Sequence, residues 1–364
     1  MKAKIKINSI WFLILLPLGF ILVFISQRNP NLVEKLYSSG IYKYIGATIS
    51  ITTGILPFSL GEVLVIFSLL FIIVSIIWIL YKAVTRRMGY KKVIIYVRNV
   101  LVALSIVYFL FNILWGLNYY RLPFSKIANI DARPATIHEL VALCDDLIIK
   151  TNELRRKIDL SKDSKSIEND YKYILKNAYK GYEVTKAIYP ELGGSYGRPK
   201  GVLLSKAMSY MGITGIYFPF TGEANVNIDT PMISLPSTVT HEMAHQRGFA
   251  REDEANYIAY ITCKLHPDLD FQYSGYILAL THSMNVLYSN DKEQFNELSK
   301  KYSNGVKEDL ININRHWAQY EGPIEKASNK MNNAYLKSNN QKDGVKSYGR
   351  MVDLLIAEYR MKNK

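Results

Sequence analysis

Residues 240–256 read Thr-His-Glu-Met-Ala-His-Gln-Arg-Gly-Phe-Ala-Arg-Glu-Asp-Glu-Ala-Asn. Their reading decides the fold. His241 and His245 are four residues apart, which on a helix puts both imidazoles on one face, about one turn apart, within reach of one ion. Glu242 follows the first histidine and is placed to serve as general base on a water activated by that ion. Gly248 is a helix stop. Beyond it, a second helix is predicted from about Glu252 to Leu265, carrying acidic residues at its start. His241, His245 and Glu252 are therefore the expected metal ligands, Glu242 the expected catalytic residue, and Zn2+ the expected cofactor.

Helical phase separates the two glutamates that follow the turn. Glu252 shares a face with Ala255, Asn256, Ala259 and Cys263, small residues that let this helix lie close to the metal helix. Glu254 shares its face with Tyr257, Ile258 and Ile261, which suit core filling. Glu252 is thus preferred as third ligand, with Glu254 the alternative. Asn256, one turn on, is expected to orient a ligand histidine.

Working outward, the apolar residues concentrate before residue 120. Three runs are long enough to cross a bilayer, at about 10–25, 62–81 and 97–117. Pro17 and Gly19 lie inside the first, and Ser26-Gln27-Arg28 offers no small-residue cleavage site, so this run is read as an uncleaved span rather than a signal peptide. Residues 1–121 carry 13 of the 45 Lys/Arg against Glu34 and Glu62, a net of +11 out of the +14 of the chain. Nine of those 13 are Lys2, Lys4, Lys6 and the cluster from Lys82 to Arg98. The positive-inside rule puts them in the cytoplasm. Residues 27–59, and everything after about 120, then lie outside, and losing span one would leave the C-terminal side unchanged. Trp115, Tyr119 and Tyr120, at the end of span three, are expected to form an interfacial aromatic belt. The remaining 243 residues are nearly neutral, with 32 basic and 29 acidic groups, which excludes a nucleic-acid partner.

The expected fold is mainly α: a membrane domain over 1–120 with three transmembrane helices, then an α+β zincin-like extracytoplasmic domain over 121–364 with a small sheet. In the outer domain, Thr136 to Ile158 is predicted helical behind a Thr136/Glu139 capping box. A polar loop follows over Ser161–Ser166, then a helix from Ile167 to Tyr189. Strands are predicted at 201–205, 216–220 and 224–228, and Ser237 is expected to cap the metal helix. Residues 216–228 are read as an edge strand able to pair with an extended peptide, with Asn225 and Asn227 either holding its backbone or serving as turn residues. Helices are predicted at 271–289, 292–303, 306–319, 323–338 and 345–361. Cys144 and Cys263, the two cysteines, have no metal-ligand spacing and are either a disulfide or two buried thiols.

The stretch from Thr240 to Tyr260 resembles a large family of bacterial membrane proteins of unknown function bearing a His-Glu-x-x-His site. So do Tyr217 to Asn225 and Leu114 to Arg121. More distantly, Glu252-x-x-Ala255-Asn256 is similar to the Glu-x-x-Ala-Asp/Asn segment of zinc peptidases of the glutamate-ligand type, a resemblance that implies Glu252 as ligand. Only six residues separate His245 from Glu252, which demands a tight turn at Gly248.

Together these features predict a zinc metallopeptidase in the bacterial cytoplasmic membrane, with the bilayer and a peptide or protein substrate as partners. The transition state needs a donor for its oxyanion, and Tyr276, His282, Arg315 and His316 are the candidates. The alternative is a zinc-containing, non-catalytic extracytoplasmic sensing module. An intramembrane protease fits poorly, since residues 221–245 are too polar for a span.

Overall fold

The computed structural model describes residues 9–85, 89–160, 170–344 and 350–362. Lys2, Lys4, Lys6, Arg86, Arg87, the loop 161–166 and the start of the last predicted helix lie outside the described residues. The first apolar run forms helix α1 (Leu15–Arg28), entered through the 3-10 turn Ser9–Ile14. Pro30–Leu32 is one helical turn, and Val33–Ile41 winds as a wider π-helix into α2 (Tyr42–Gly54). Next come α3 (Leu60–Val84) and α4 (Tyr90–Leu114). Ile10–Arg28, α3 and α4 are long and apolar enough to cross a membrane. At 1.5 Å per residue the 25 residues of α3 reach about 37 Å, against about 30 Å of hydrocarbon. Its Phe71 and Ile77 are 73% and 60% exposed, a surface that water would penalise and lipid would not.

The third span begins earlier than its most apolar core, because Val93–Val97 extend it through Arg98. It also stops earlier, at Leu114. Trp115 breaks the helix, and Gly116–Tyr120 form a 3-10 turn. The expected aromatic belt is not formed. Trp115, Tyr119 and Tyr120 are buried, packed with Tyr42 and Tyr217 in a cluster against the metal helix. Their rings fill protein rather than face headgroups.

After span three, α5 (Ile137–Leu160) starts behind the predicted capping box: Glu139 N–H donates to Thr136 Oγ1, and Thr136 N–H to Glu139 Oε2. The single helix predicted over 167–189 is instead two short ones, α6 (Tyr171–Asn177) and α7 (Tyr179–Thr185), the first capped by Asp170. They abut the helix that follows the metal turn, where Gly181 comes so near that a Cβ would lie 2.6 Å from Thr262 O.

The sheet has three short strands, β1 (Lys200–Gly201), β2 (Gly215–Phe218) and β3 (Glu223–Val226), in the order β1-β3-β2. β1 runs parallel and β2 antiparallel to β3. The strand expected at 201–205 ends after Gly201, because the Glu62 carboxylate accepts from Leu203 N–H and Leu204 N–H and turns the chain. Helix α8 (Ser205–Tyr210) follows. A buried pair, Lys200 and Glu223, ties the sheet to the membrane part. Lys200 also donates to Thr53 O and Phe58 O, while Glu223 accepts from Leu60 N–H and Gly61 N–H at the start of α3.

The metal helix α9 (Leu235–Gln246) starts two residues before Ser237, with Pro236 in its first turn, where a fixed φ and a missing N–H cost nothing. Ser237 does not cap it. Its N–H donates to Ser274 Oγ and its hydroxyl to Ser234 O, so it joins α9 to a later helix. Then come α10 (Glu252–Lys264), α11 (Leu269–Asn290), α12 (Lys292–Ser299), α13 (Asn304–Ala318), α14 (Pro323–Ser338) and α15 (Met351–Lys362). One apolar core runs through α5, α9, α10, α11 and α15. Cys144 and Cys263 are both buried free thiols, so the disulfide alternative is not formed.

Candidate metal centre

His241 and His245 project from one face of α9, their Nε2 atoms 3.1 Å apart. Glu252 Oε2 lies 3.2 Å from His241 Nε2 and 3.6 Å from His245 Nε2. Tetrahedral bonds of ~2.0 Å put ligand atoms about 3.3 Å apart, so the three atoms stand at spacings that a small divalent cation requires. Among the described residues this is where three such donors converge.

The turn between the helices makes the convergence. Gly248 adopts φ +82, and a Cβ there would sit 2.8 Å from Tyr42 Cε1. Phe249 N–H donates to Ala244 O and Gly248 N–H to His245 O, closing a Schellman-type end. The same turn aims Phe249 O at His245 Nδ1, 2.7 Å away. That carbonyl requires the proton on Nδ1 and leaves Nε2 free to face His241 and Glu252. Arg121 holds the turn from outside: it donates to Gly248 O, lies 4.1 Å over the Phe249 ring, and pairs with Glu34 at 2.8 Å.

Glu254 faces elsewhere. Its Oε1 accepts from Phe124 N–H and Arg251 Nη1, so it anchors the chain that leaves span three. Asn256 does not orient a histidine, since Phe249 O takes His245 Nδ1, and among the described residues Asn256 Nδ2 is buried without a partner. Instead, Gln341 steadies the acidic ligand, its Oε1 accepting from Glu252 N–H at 3.2 Å.

Glu242 is buried beside the start of β2, where a Cβ on Gly215 would lie 2.5 Å from its Oε1. Among the described residues its Oε2 has no hydrogen-bond partner. Burial pushes the carboxyl up to about 6, with Glu252 adding to the rise and the two histidines opposing it. Burial pulls the His245 imidazole down, but Glu252 outweighs that and holds it up at about 9. Burial likewise opposes ionisation of Glu252, yet the two imidazoles keep its carboxyl far below the usual range. The Glu252 carboxylate is thus held ionised beside an imidazole that keeps its proton.

Residues far away in the chain fix the C-terminal end of α9. Trp115 Nε1 donates to His245 O at 3.2 Å, and its ring stands edge-on to the His245 imidazole, 5.9 Å between centroids. The Tyr42 hydroxyl donates to Gln246 O at 3.0 Å. Gln246 Nε2 donates to Ser50 Oγ and Gly222 O, joining α9 to α2 and to the β2–β3 turn. None of these roles has a local signature. The aromatic run at 115–120 was the available signal for Trp115, and it also fits a membrane interface.

Of the four oxyanion candidates, only His282 is linked electrostatically to the trio: burial first, then the charge of His241, bring its pKa down to about 4. Tyr276 packs edge-on to Tyr260, His316 stands by Asp229, and exposed Arg315 bonds Asn312. β2 is an edge strand as expected, but β3 is central, paired on both sides. Asn225 is accordingly buried, and Asn227 is a turn residue that bonds Ser209 and Ile213 O and accepts from Asp229 N–H. Neither presents itself to a substrate backbone.

No curated protein and no solved structure matches the chain. A family model described as protein of unknown function (DUF3810) matches residues 37–356, which take in α2, spans two and three, the sheet, the metal helix and the helices after it. That match covers most of the chain, Tyr42 through Gln341 included, and the protein belongs to the DUF3810 family.

Proposed function

We propose that the protein is a membrane-anchored zinc metallopeptidase that hydrolyses peptide bonds on the outer side of the cytoplasmic membrane. The observation that carries this reading is the convergence of His241 Nε2, His245 Nε2 and Glu252 Oε2, with Glu242 buried one residue from the first ligand. The donor set of two imidazoles and one carboxylate suits zinc and leaves a tetrahedral position open. Bound there, zinc supplies Lewis acidity and brings the pKa of water near neutrality.

The chain's own residues do the rest. Glu242, held up to about 6 by burial, accepts the proton of the attacking water near neutral pH and returns it to the leaving amine. Phe249 O keeps His245 in one tautomer. Among the described residues β2 pairs only with β3, so its outer edge is open to an extended peptide by backbone hydrogen bonds, beside Glu242. The charge pattern of the spans and their links supports an outward-facing site.

The test compares purified wild-type protein with Glu242→Gln on a peptide library. Wild type is expected to cleave, and the variant to keep its zinc while losing at least about a hundredfold in rate, the usual contribution of a general base. Equal rates in the two would reject Glu242 as the base. A zinc-loaded wild type that cleaves nothing would reject the peptidase and leave a binding module.

A further inference from the structure

A cavity of about 590 Å³ is lined by residues of spans one and three. Phe20, Val23 and Phe24 of α1 and Tyr108 and Phe111 of α4 give it apolar walls, and Gln27, Asn112, Ser338 and Asn339 add polar groups to its lining. Phe20 and Phe24 are more than half exposed. From Phe20 to Gln27 the groove follows α1 for about 10 Å, roughly the outer third of a ~30 Å hydrocarbon layer.

Three features identify what fills it. The walls are two span helices, so the groove is continuous with the surface that the bilayer covers. Its size suits one flexible chain: at about 30 Å³ per water-sized unit it holds about twenty, whereas a helix with side chains is about 10–12 Å across. A cation stands beside one wall. Arg28 closes span one, its guanidinium 3.5 Å over the Phe24 ring, and no carboxylate pairs with it among the described residues.

We infer that this groove binds one acyl chain of an anionic membrane phospholipid, with the headgroup against Arg28. The site lies close to the metal centre. Phe111 packs on Trp115 at 6.2 Å and on Tyr335 at 6.5 Å, and Trp115 in turn packs on His245. The lipid chain therefore backs the same aromatic wall that braces the metal helix. The inference rests on the spans and the groove and stands apart from the zinc reading.

The experiment places the full-length protein in nanodiscs doped with phosphatidylglycerol or phosphatidylcholine carrying a photoreactive acyl chain, and maps crosslinks by mass spectrometry. Phosphatidylglycerol is expected to label the groove around Phe20 and Phe111 above the lipid-facing Phe71 of α3. Val23→Trp, which fills the groove, should abolish that excess, and Val23→Ala, which leaves it open, should retain it. Arg28→Gln should weaken labelling about fivefold, the worth of one basic residue at an anionic surface. Uniform labelling of all three spans, no effect of Val23→Trp, or equal labelling by phosphatidylcholine would overturn the inference. So would preferential labelling by a photoreactive acylated peptide, which would make the groove a seat for lipid-modified substrates.

Discussion

At the scale of single residues, His245 keeps its proton beside the ionised Glu252. The His245 value of about 9 lies above the ordinary 6.5, so its proton stabilises the metal-free fold fully below about 6.5, and that contribution is lost as pH rises through 9. Zinc bound as proposed would compete with the same proton. Its affinity is expected to rise with pH, by up to about tenfold per unit for one proton displaced, and to level off above about 9. Zinc titrations between pH 6 and 10 check this, and a flat profile would contradict it. His241 and His245 were legible because their spacing matches one helical turn, and Glu252 because helical phase set it apart from Glu254. Ser237, expected to cap the helix, was misread because its partner lies outside the local sequence. A short polar side chain bonds whatever the fold brings near, and for Ser237 that was Ser274, 37 residues away.

At the scale of elements, the turn between α9 and α10 decides whether the ligands meet. Gly248→Ala would carry a left-handed φ, costing about 1–2 kcal/mol, and would drive its methyl into the Tyr42 ring. The expected outcome is a loss of roughly 1–3 kcal/mol in denaturant unfolding. A weaker zinc titration should accompany it, since the Phe249 carbonyl that orients His245 would shift. Unchanged stability and affinity would show that the turn does not set the ligand geometry. The two helices and this turn were readable in 240–265, where periodicity, Gly248 and the acidic first turn agree. The strand at 201–205 was not, because the agent that ends it, Glu62, belongs to a membrane span.

At the scale of the whole molecule, the apolar span helices and the domain that carries the His-Glu cluster are built into each other. Tyr42, Ser50 and Trp115 bond the last turn of α9 or its Gln246 side chain, Glu34 braces Arg121, and Glu223 receives the first turn of span two. The spans were visible as apolar runs, but this interlock was not, since each contact joins segments 87 to 204 residues apart whose partners carry no mutual pattern. A chain beginning at residue 121 lacks Glu34, Tyr42, Ser50 and Trp115. It is expected to bind zinc at least about tenfold more weakly than the full protein and to unfold at lower denaturant, because His245 O and Gln246 O lose donors worth ~1 kcal/mol each. A truncated domain with full affinity and stability would contradict the interlock.

The central claim is that His241, His245 and Glu252 hold zinc. Metal analysis of purified wild type, Glu252→Ala and Glu254→Ala tests it most directly, with unfolding curves to verify that each variant is folded. Wild type is expected to hold about one zinc per chain, folded Glu254→Ala to retain it, and folded Glu252→Ala to lose it. Full zinc occupancy in Glu252→Ala, or loss confined to folded Glu254→Ala, would contradict it.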